Sequence, residues 1–391
     1  MMVALLSALA LTASPAGAWR AALDLAGGEL RFALIIEGPA RRWTGRICNG
    51  GSCEPLSSVQ QAGDTLRLEI GDYAAGIRAV AKGDSLIGFY HNVGRKGPRT
   101  IPFRASRGRW TKTAGPATLL GRWDAWLLGG FDQSPRVLEF RNGPEGLEGT
   151  VISNSGDAGL FWGSAAGDSF AIGHFDGSFV YLLTGRIDGD TLRGTFHAGL
   201  SSEVPVVATR STGQPHLTPP TEVTRADTSR PFGFDFPDLD GHPVQSTDER
   251  FRNKAVLLEI FGTWCPTCHD AAPLLVQLYN DFHSRGLEIV GVAFEVTGDT
   301  AQDAPLVRRF RDKFHIPFPL LLGGASDADV VSASLPALDG FTAFPTTLFI
   351  GRDGRVRRIH AGFYGHATGV AYDGLVAEFR REVEELVSGE R

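Results

Sequence analysis

The segment Phe261-Gly262-Thr263-Trp264-Cys265-Pro266-Thr267-Cys268 decides the fold of the C-terminal part of this chain. The run that leads into it, residues 255–261, is short and apolar, which is typical of a strand buried on both faces. Residues 270–284 carry apolar side chains at helical spacing, so a helix is predicted there. The cysteines therefore lie where a strand passes into a helix, and the free backbone N–H groups of a helix start favour an anion.

The spacing of these cysteines indicates a dithiol–disulfide couple. Cys265 is the expected nucleophilic thiolate, and Cys268 is the thiol that resolves a mixed disulfide. Half of a zinc site has the same spacing, but such a site needs a second pair of ligands. Cys48 and Cys53 lie far upstream, and His269 is adjacent to Cys268 and is predicted to be a solvated helix residue. A redox couple is therefore favoured over zinc, and no cofactor is predicted.

Length and composition indicate a globular protein of two or three domains. The chain has 391 residues, which exceeds the usual size of one domain. Its net charge of −6 comes from interspersed signs without a basic patch, so nucleic acid is not an expected partner. The 49 glycines and 22 prolines show no periodicity, and with 42% hydrophobic residues they indicate a turn-rich β domain rather than disorder.

Residues 1–18 are predicted to be an export signal. They are apolar and end in Ser14-Pro15-Ala16-Gly17-Ala18, whose small residues suit cleavage after Ala18. No lysine or arginine precedes the apolar core, so an uncleaved membrane anchor is the alternative. The expected location is the periplasm or cell envelope of a bacterium, where disulfides persist.

Residues 19–210 are predicted to form an all-β domain, an antiparallel barrel or sandwich of unknown role. Short apolar runs alternate there with four similar Gly-Asp turns, which are typical of β-hairpins. The turns begin at Gly63, Gly83, Gly167 and Gly189. The similarity of Gly108-Arg109-Trp110 to Gly121-Arg122-Trp123 suggests two halves of an approximate repeat.

The cysteines of this β domain, Cys48 and Cys53, bracket a flexible Asn-Gly-Gly-Ser loop. In an exported protein the expected role is a structural disulfide. The alternative is that Cys48 and Cys53 form a second redox centre, which passes electrons to Cys265 and Cys268.

Residues 211–231 are predicted to be an extended linker, because they are rich in proline, threonine, serine and charged residues. From residue 232 to the end at 391, strands alternate with helices, which predicts an α/β domain with a sheet covered on both faces. The predicted strands are 255–261, 287–294, 318–322, 346–350 and 355–360, and the predicted helices are 270–284, 304–314, 327–334 and 375–386.

This second domain resembles the thioredoxin fold, and within it the exported TlpA/ResA-like thiol–disulfide oxidoreductases. The resemblance covers residues 232–387 and rests on Trp264-Cys265-x-x-Cys268 between a strand and a helix. Pro273 matches the proline of the family's first long helix, and Phe344-Pro345-Thr346 matches its cis-proline loop. By this resemblance, Glu259 occupies the position of the family's buried carboxylate. Glu295 occupies the position of an acidic residue near the family's active site.

The residues and the resemblance together give a candidate site of Cys265, Cys268, Glu259, Trp264, Glu295 and Pro345. A carboxylate in an apolar strand has a raised pKa, so Glu259 is expected to exchange a proton with Cys268, unless it is an exposed strand-end residue. Trp264 is expected to cover the sulfur or to be packed aromatic surface. Pro345 either leaves backbone free to pair with a substrate segment or forms a structural turn, and Glu295 either lies near the site or faces solvent.

The leading functional hypothesis is an exported thiol–disulfide oxidoreductase, a reductant by family similarity. Its expected partners are protein disulfides or thiols of the envelope and an upstream thiol donor, with a membrane only if residues 1–18 stay uncleaved. One alternative is a peroxiredoxin-like peroxidase, because Cys265-Pro266-Thr267 resembles part of that motif, although Gly262 stands where threonine or serine is required. The other is a binding module whose β domain holds a ligand while the Cys265–Cys268 pair is an idle disulfide.

Overall fold

Two antiparallel β units precede an α/β domain in this computed structural model, which describes residues 14–39, 42–94, 97–129 and 134–389. The strands of the first unit are β1 (Gly17–Leu25), β2 (Gly28–Glu37), β3 (Thr44–Asn49), β4 (Ser52–Pro55), β5 (Ser58–Ala62), β6 (Thr65–Ile70), β7 (Ala75–Lys82), β8 (Ser85–Gly94) and β9 (Gly97–Arg107). They form one sheet in the order β4-β3-β2-β1-β9-β8-β7-β6-β5. Alternate side chains face its core, as in β6, where Leu66, Leu68 and Ile70 are buried.

The second unit is a closed barrel. Its strands are β10 (Gly121–Leu127), β11 (Ser134–Gly143), β12 (Gly146–Ser153), β13 (Gly156–Asp157), β14 (Phe161–Ala166), β15 (Ser169–Phe175), β16 (Val180–Asp188), β17 (Thr191–Ala198) and β18 (Ser202–Arg210). Their order is β11-β10-β18-β17-β16-β15-β14-β12-β13, and β11 also pairs with β12, which closes the ring. The predicted antiparallel β architecture is confirmed, and its strands are divided between two sheets.

The four predicted Gly-Asp turns are confirmed as two-residue hairpin loops. Each joins consecutive antiparallel strands, for example Ala62 paired with Thr65 across Gly63-Asp64. The glycines Gly63, Gly83, Gly167 and Gly189 have φ of 61, 58, 57 and 59°. Residues with a Cβ rarely adopt this conformation, so glycine at these positions sets the register of the hairpins.

The two β units repeat a tryptophan–arginine pair, but not at the predicted positions. Arg107 lies over the ring of Trp19 at 4.3 Å, and Arg210 lies over the ring of Trp123 at 4.0 Å. In both cases the indole N–H donates to the carbonyl four residues earlier, at 2.9 and 2.8 Å. The counterpart of Trp123 is therefore Trp19, whereas Trp110 donates to Phe32 of the first sheet.

The predicted signal segment is described only from Ser14 onward, and residues 1–13 lie outside the described residues. Gly17 and Ala18 belong to β1, and Arg107 Nη1 donates to the carbonyl of Ala16 at 2.7 Å. The predicted cleavage position after Ala18 thus falls within a strand, and it stays a prediction. Among the described residues, the helices are all too short or too polar to cross a membrane.

The α/β domain is built on one five-stranded sheet. The five strands of this sheet are β22 (Ala255–Phe261), β23 (Leu287–Glu295), β24 (Leu320–Ala325), β26 (Thr346–Ile350) and β27 (Val356–Ala361). Four shorter strands form two separate pairs, β19 (Arg225–Ala226) with β25 (Leu338–Asp339) and β20 (Asp235–Pro237) with β21 (Pro243–Gln245). The helices of the domain are α1 (Pro220–Val223), α2 (Pro266–Phe282), α3 (Thr300–Phe314), α4 (Ala328–Ser334) and α5 (Val370–Ser388). Short 3₁₀ turns lie at Glu249–Phe251, His283–Arg285 and His366–Thr368 in this domain and at Gly71–Tyr73 in the first β unit.

The sheet order is β24-β23-β22-β26-β27, with β22, β23 and β24 parallel and β26 and β27 antiparallel to their neighbours. Every residue of β22 is buried, because α2, α3 and α5 pack on one face of the sheet and α4 on the other. This arrangement agrees with the thioredoxin fold predicted from the sequence.

Three helices, α2, α3 and α5, begin earlier than predicted, and for the first two the reason is local. α2 begins at Pro266, since a proline at the first helical position has no N–H that needs a partner. α3 begins at Thr300, because the carboxylate of Asp299 accepts from the N–H groups of Ala301 and Gln302. The predicted linker also carries short elements, α1 and β19, of which β19 pairs with β25.

Candidate functional site

Cys265 and Cys268 lie at the junction of β22 and α2. Cys265 precedes the first residue of α2, and the Cys268 N–H donates to the Cys265 carbonyl at 3.0 Å. Both are free thiols and almost fully buried, at 3% and 2% exposure. The structure thus places Cys265 at the start of a helix, as the sequence predicted.

The sulfur of Cys265 has two polar neighbours. It lies 3.1 Å from Thr267 Oγ1, and its thiol donates to the carbonyl of Phe344 at 3.6 Å. The Thr267 hydroxyl also donates to that carbonyl, at 3.3 Å. Once Cys265 is ionised, the Thr267 hydroxyl can turn to the thiolate and stabilise it. Phe344 was not among the six predicted site residues, and its position directly before Pro345 is the signal that could have identified it.

Cys268 is the more deeply placed thiol. Burial raises its pKa well above the ordinary value, and the neighbouring Cys265 raises that pKa further. Cys268 is therefore protonated at neutral pH, and its attack on a mixed disulfide requires a proton acceptor.

Glu259 lies close to that thiol. It is 3% exposed on the face of β22 that packs on α2, and the Thr347 hydroxyl donates to its Oε2 at 2.5 Å. Burial raises the pKa of Glu259 to about 8, although the bond from Thr347 lowers it. A cavity of about 10 Å³ is lined by both Glu259 and Cys268. The alternative of an exposed strand-end glutamate is therefore wrong.

Glu295 supports the loop before the cysteines. It is 1% exposed, and its two carboxylate oxygens accept from the N–H and the hydroxyl of Thr263, both at 2.7 Å. Burial raises its pKa to about 7, against the effect of these two bonds. Of the two alternatives for Glu295, the solvent-facing one is wrong, because the residue is buried against the loop that carries Cys265.

His269 is buried, so the prediction of a solvated helix residue is wrong. Its Nε2 donates to the Thr263 carbonyl at 2.8 Å, which fixes the Nε2–H tautomer. Its ring packs against Tyr73 of the first β unit and against Phe310 and Phe314 of α3. Burial therefore comes from distant parts of the chain that the local sequence does not indicate.

Pro345 and Trp264 complete the predicted set. The Phe344–Pro345 peptide bond is cis, and the Pro345 carbonyl accepts from Gly362 N at 2.7 Å. Trp264 Nε1 donates to the Phe294 carbonyl at 2.9 Å, and its ring lies 5.2 Å from that of Phe344. The structure therefore brings all six predicted residues to one region around the cysteines.

The β units cover this region. The hydroxyl of Ser178 in the barrel donates to the Trp264 carbonyl at 3.0 Å, and Asp157 Oδ1 accepts from Gly365 N at 2.5 Å. Arg141 Nη1 reaches the carbonyl of residue 367 at 2.8 Å. These contacts hold the barrel against the segments around Cys265, and no sequence motif predicts them.

Two cavities remain in this interface, on either side of Thr267. One of about 280 Å³ is lined by Cys265, Trp264 and Phe344 together with barrel residues such as Arg136. The other, of about 410 Å³, is lined by the carboxylate residues Glu54, Asp157, Asp176 and Asp270, as well as by His174, His269, His366 and Arg141. Within the described ranges, no three His, Cys, Asp or Glu residues are placed to hold a metal ion.

Cys48 and Cys53 form a disulfide, as predicted for a structural role. They are opposite each other on β3 and β4, and neither lines the two cavities beside Cys265.

Comparison with known proteins supports the interpretation of the C-terminal domain. The Redoxin family model matches residues 221–368. The thiol-disulfide oxidoreductase ResA of Halalkalibacterium halodurans is 29% identical over 132 residues, which are 33% of this chain and 65% of that protein. ResA of Geobacillus thermodenitrificans is 30% identical over 129 residues, 33% of this chain and 66% of that protein. A thiol:disulfide interchange protein of the thioredoxin family from Chlorobium tepidum has 25% identity, with 42% of this chain and 99% of that chain covered and a TM-score of 0.32.

The predicted resemblance is therefore confirmed for the C-terminal domain, which is similar to a Redoxin domain and to ResA proteins. The chain spans just under two thirds of the length of these ResA proteins. Both β units lie outside the Redoxin match.

Proposed function

We propose that this protein is an exported thiol–disulfide oxidoreductase that reduces partner disulfides. The observation that carries the proposal is the placement of Cys265 at the start of α2, with Cys268 and the buried carboxyl of Glu259 behind it. The similarity of the C-terminal domain to ResA proteins supports the same chemistry.

The reaction begins with the thiolate of Cys265. It attacks one sulfur of the partner disulfide, forms a mixed disulfide and releases the other partner sulfur as a thiolate. Cys268 then attacks the Cys265 sulfur, so that the Cys265–Cys268 disulfide forms and the second partner thiolate leaves. The partner gains two electrons and this chain loses two, and an upstream thiol donor returns the chain to its dithiol state.

The second step requires that Cys268 lose its proton. Glu259 is the proton acceptor, since its pKa of about 8 is close to the working pH and both groups line one small cavity. That cavity is about the size that one water molecule needs, so the proton passes directly or through a single water. Glu259 returns the proton when an upstream donor reduces the disulfide again.

Export to the periplasm or cell envelope belongs to the same proposal. The Cys48–Cys53 disulfide supports it, because such bridges persist in oxidising compartments. The apolar residues at the start of the sequence support it as well.

The test is turnover of a protein disulfide with a dithiol donor. Cys265→Ser is expected to abolish turnover, and Cys268→Ser to stop it after one mixed disulfide. The double variant Cys48→Ser/Cys53→Ser is the matched control and should retain the wild-type rate. Turnover that persists in Cys265→Ser would show that the proposal is wrong, and consumption of peroxide by the wild type at a higher rate would favour the peroxidase alternative.

A further inference from the structure

The 280 Å³ cavity extends to Cys265, which is one of its lining residues. Its walls come from both parts of the chain, because Cys265, Trp264 and Phe344 face Phe179 and Tyr181 of the barrel across it. A folded protein cannot bring a disulfide into such a space while the barrel stays in contact with the α/β domain. A small molecule can, since the volume is near the lower end of the range for small-ligand pockets.

The apolar part of this wall suits a disulfide. Phe179 stacks on Tyr181 at 4.7 Å, and Tyr181 packs against Phe196 at 5.1 Å. Sulfur makes favourable contacts with aromatic rings, so these rings can hold a disulfide next to the thiol of Cys265.

The polar part of the wall is dominated by Arg136. Its guanidinium is partly buried, and among the described residues it donates through Nη1 to Ser134 Oγ at 2.6 Å and to the Pro135 carbonyl at 2.7 Å. Among the residues that the structure describes, none of the carboxylates forms an ion pair with it. Burial lowers the pKa of Arg136, but a guanidinium in a protein keeps its charge. A partly buried cation that forms no ion pair with the described carboxylates has capacity for an anionic ligand.

The groups around Arg136 favour a carboxylate on its side of the cavity. Burial raises the pKa of Tyr181, so its phenol stays neutral and can donate a hydrogen bond. Asp157 also lines the cavity, but its oxygens already accept from Gly365 N and from Gly159 N. Glu54 and Asp176 line the neighbouring 410 Å³ cavity but not this one, and their carboxylates repel an anion from the far side of Thr267.

We propose that the 280 Å³ cavity binds a small disulfide that carries a carboxylate, and that Arg136 holds the carboxylate while one sulfur meets Cys265. The inference rests on the proposed function and names its substrate class. Cys265 and Cys268 react with the small disulfide in the same two steps as with a protein disulfide. The dithiol of this chain loses two electrons, and the small disulfide gains them and gives two molecules of its thiol.

The experiment compares two probes of equal size, 3,3′-dithiodipropionate and its neutral diamide, with the reduced full-length protein. The single-turnover rate constant of disulfide formation is measured for each. The wild type is expected to prefer the dicarboxylate by about tenfold, the worth of one charge-assisted hydrogen bond. Arg136→Gln should remove this preference. Arg122→Gln, an exposed arginine on the adjacent strand, is the matched control and should keep it.

A second measurement uses the wild type alone, in case Arg136→Gln does not fold. Adipate, which has the same carboxylates but no sulfur, should slow the reaction with dithiodipropionate, whereas adipamide should not. Equal rates with both probes, an unchanged preference in Arg136→Gln, or the absence of competition by adipate would overturn the inference. Inertness towards both probes in a protein that reduces protein disulfides would also overturn it and leave the proposed function intact. If neither small nor protein disulfides react with Cys265, the proposed function itself fails.

Discussion

Ser178 of the β-barrel donates a hydrogen bond to the carbonyl of Trp264, the residue that precedes Cys265. The loop that carries Ser178 is held by Asp176, whose Oδ1 accepts from the N–H groups of Ser178 and Phe179 at 2.7 Å. Arg99 of the first β unit donates to the Ser178 carbonyl at 3.0 Å. Both β units therefore act on the position of one loop that covers Cys265.

Removal of this contact should make Cys265 more reactive towards bulky reagents. Ser178→Ala loses the bond to Trp264 but keeps the backbone bonds to Asp176 and Arg99, so the loop itself persists. A net loss of about 1 kcal/mol predicts a rise of about fivefold in the rate at which a bulky maleimide alkylates Cys265. Ser169→Ala, at an exposed position of the same barrel, is the control. An unchanged rate in Ser178→Ala would mean that this contact does not limit access.

Glu259→Gln should slow the resolution of the mixed disulfide by about a hundredfold, as expected for loss of a proton acceptor. In the wild type this step should accelerate as pH rises through about 8, because the acceptor is the ionised carboxylate. The variant should lose that part of the pH profile. Stopped-flow measurement of thiol release checks both points. A variant with a wild-type profile would remove Glu259 from the mechanism.

The same carboxyl should affect stability. Its pKa is about 8 in the folded chain and near 4.5 when unfolded, so the folded state holds a proton that the unfolded state loses. The contribution of this protonated carboxyl to the free energy of unfolding is complete below about pH 4.5. It is lost as pH rises towards 8, at up to about 1.4 kcal/mol per pH unit. Urea unfolding of the wild type and Glu259→Gln across this range checks the sign. The free energy of unfolding should fall less steeply with pH in the variant than in the wild type. Equal slopes would contradict the raised pKa of Glu259.

Glu295→Ala should destabilise the chain by about 2–3 kcal/mol, because the N–H and the hydroxyl of Thr263 lose a buried partner. It should also slow the attack by Cys265, since Thr263 fixes the loop that carries it. Thr263→Ser, which keeps both donors, is the matched control. Urea midpoints and single-turnover rates measure the two effects, and a rate that stays at wild-type level in Glu295→Ala would restrict Glu295 to stability.

The Cys48–Cys53 bridge should contribute to stability alone. The bridged cysteines are 5 residues apart, and a loop of this length corresponds to about 2 kcal/mol of unfolded-state entropy. Cys48→Ser/Cys53→Ser should therefore unfold at lower urea and still exchange disulfides at the wild-type rate. A parallel loss of exchange would instead support the alternative of a second redox centre.

Local patterns were sufficient to predict the core of the C-terminal domain. The apolar run of β22, the two cysteines and the helix after them predicted the junction, and a carboxylate between Leu257 and Phe261 predicted a buried group. The Gly-Asp turns predicted hairpins because only a few residue types adopt that backbone conformation.

Contacts between distant segments could not be predicted in this way. His269 reads as a polar helix residue, and its burial depends on Tyr73 of the first β unit. Arg136 reads as a surface charge on a strand, and its enclosure follows from the closure of the barrel against the α/β domain. Such features depend on how sheets pack, which no short stretch of sequence specifies.

The most direct test of the account is to map the covalent adduct formed when reduced Cys268→Ser meets a disulfide substrate. Mass spectrometry of the digested protein should find one partner sulfur, attached to Cys265. The double variant Cys265→Ser/Cys268→Ser should carry no adduct. An unmodified Cys265, or an adduct that persists in the double variant, would contradict the assignment of Cys265 as the nucleophile.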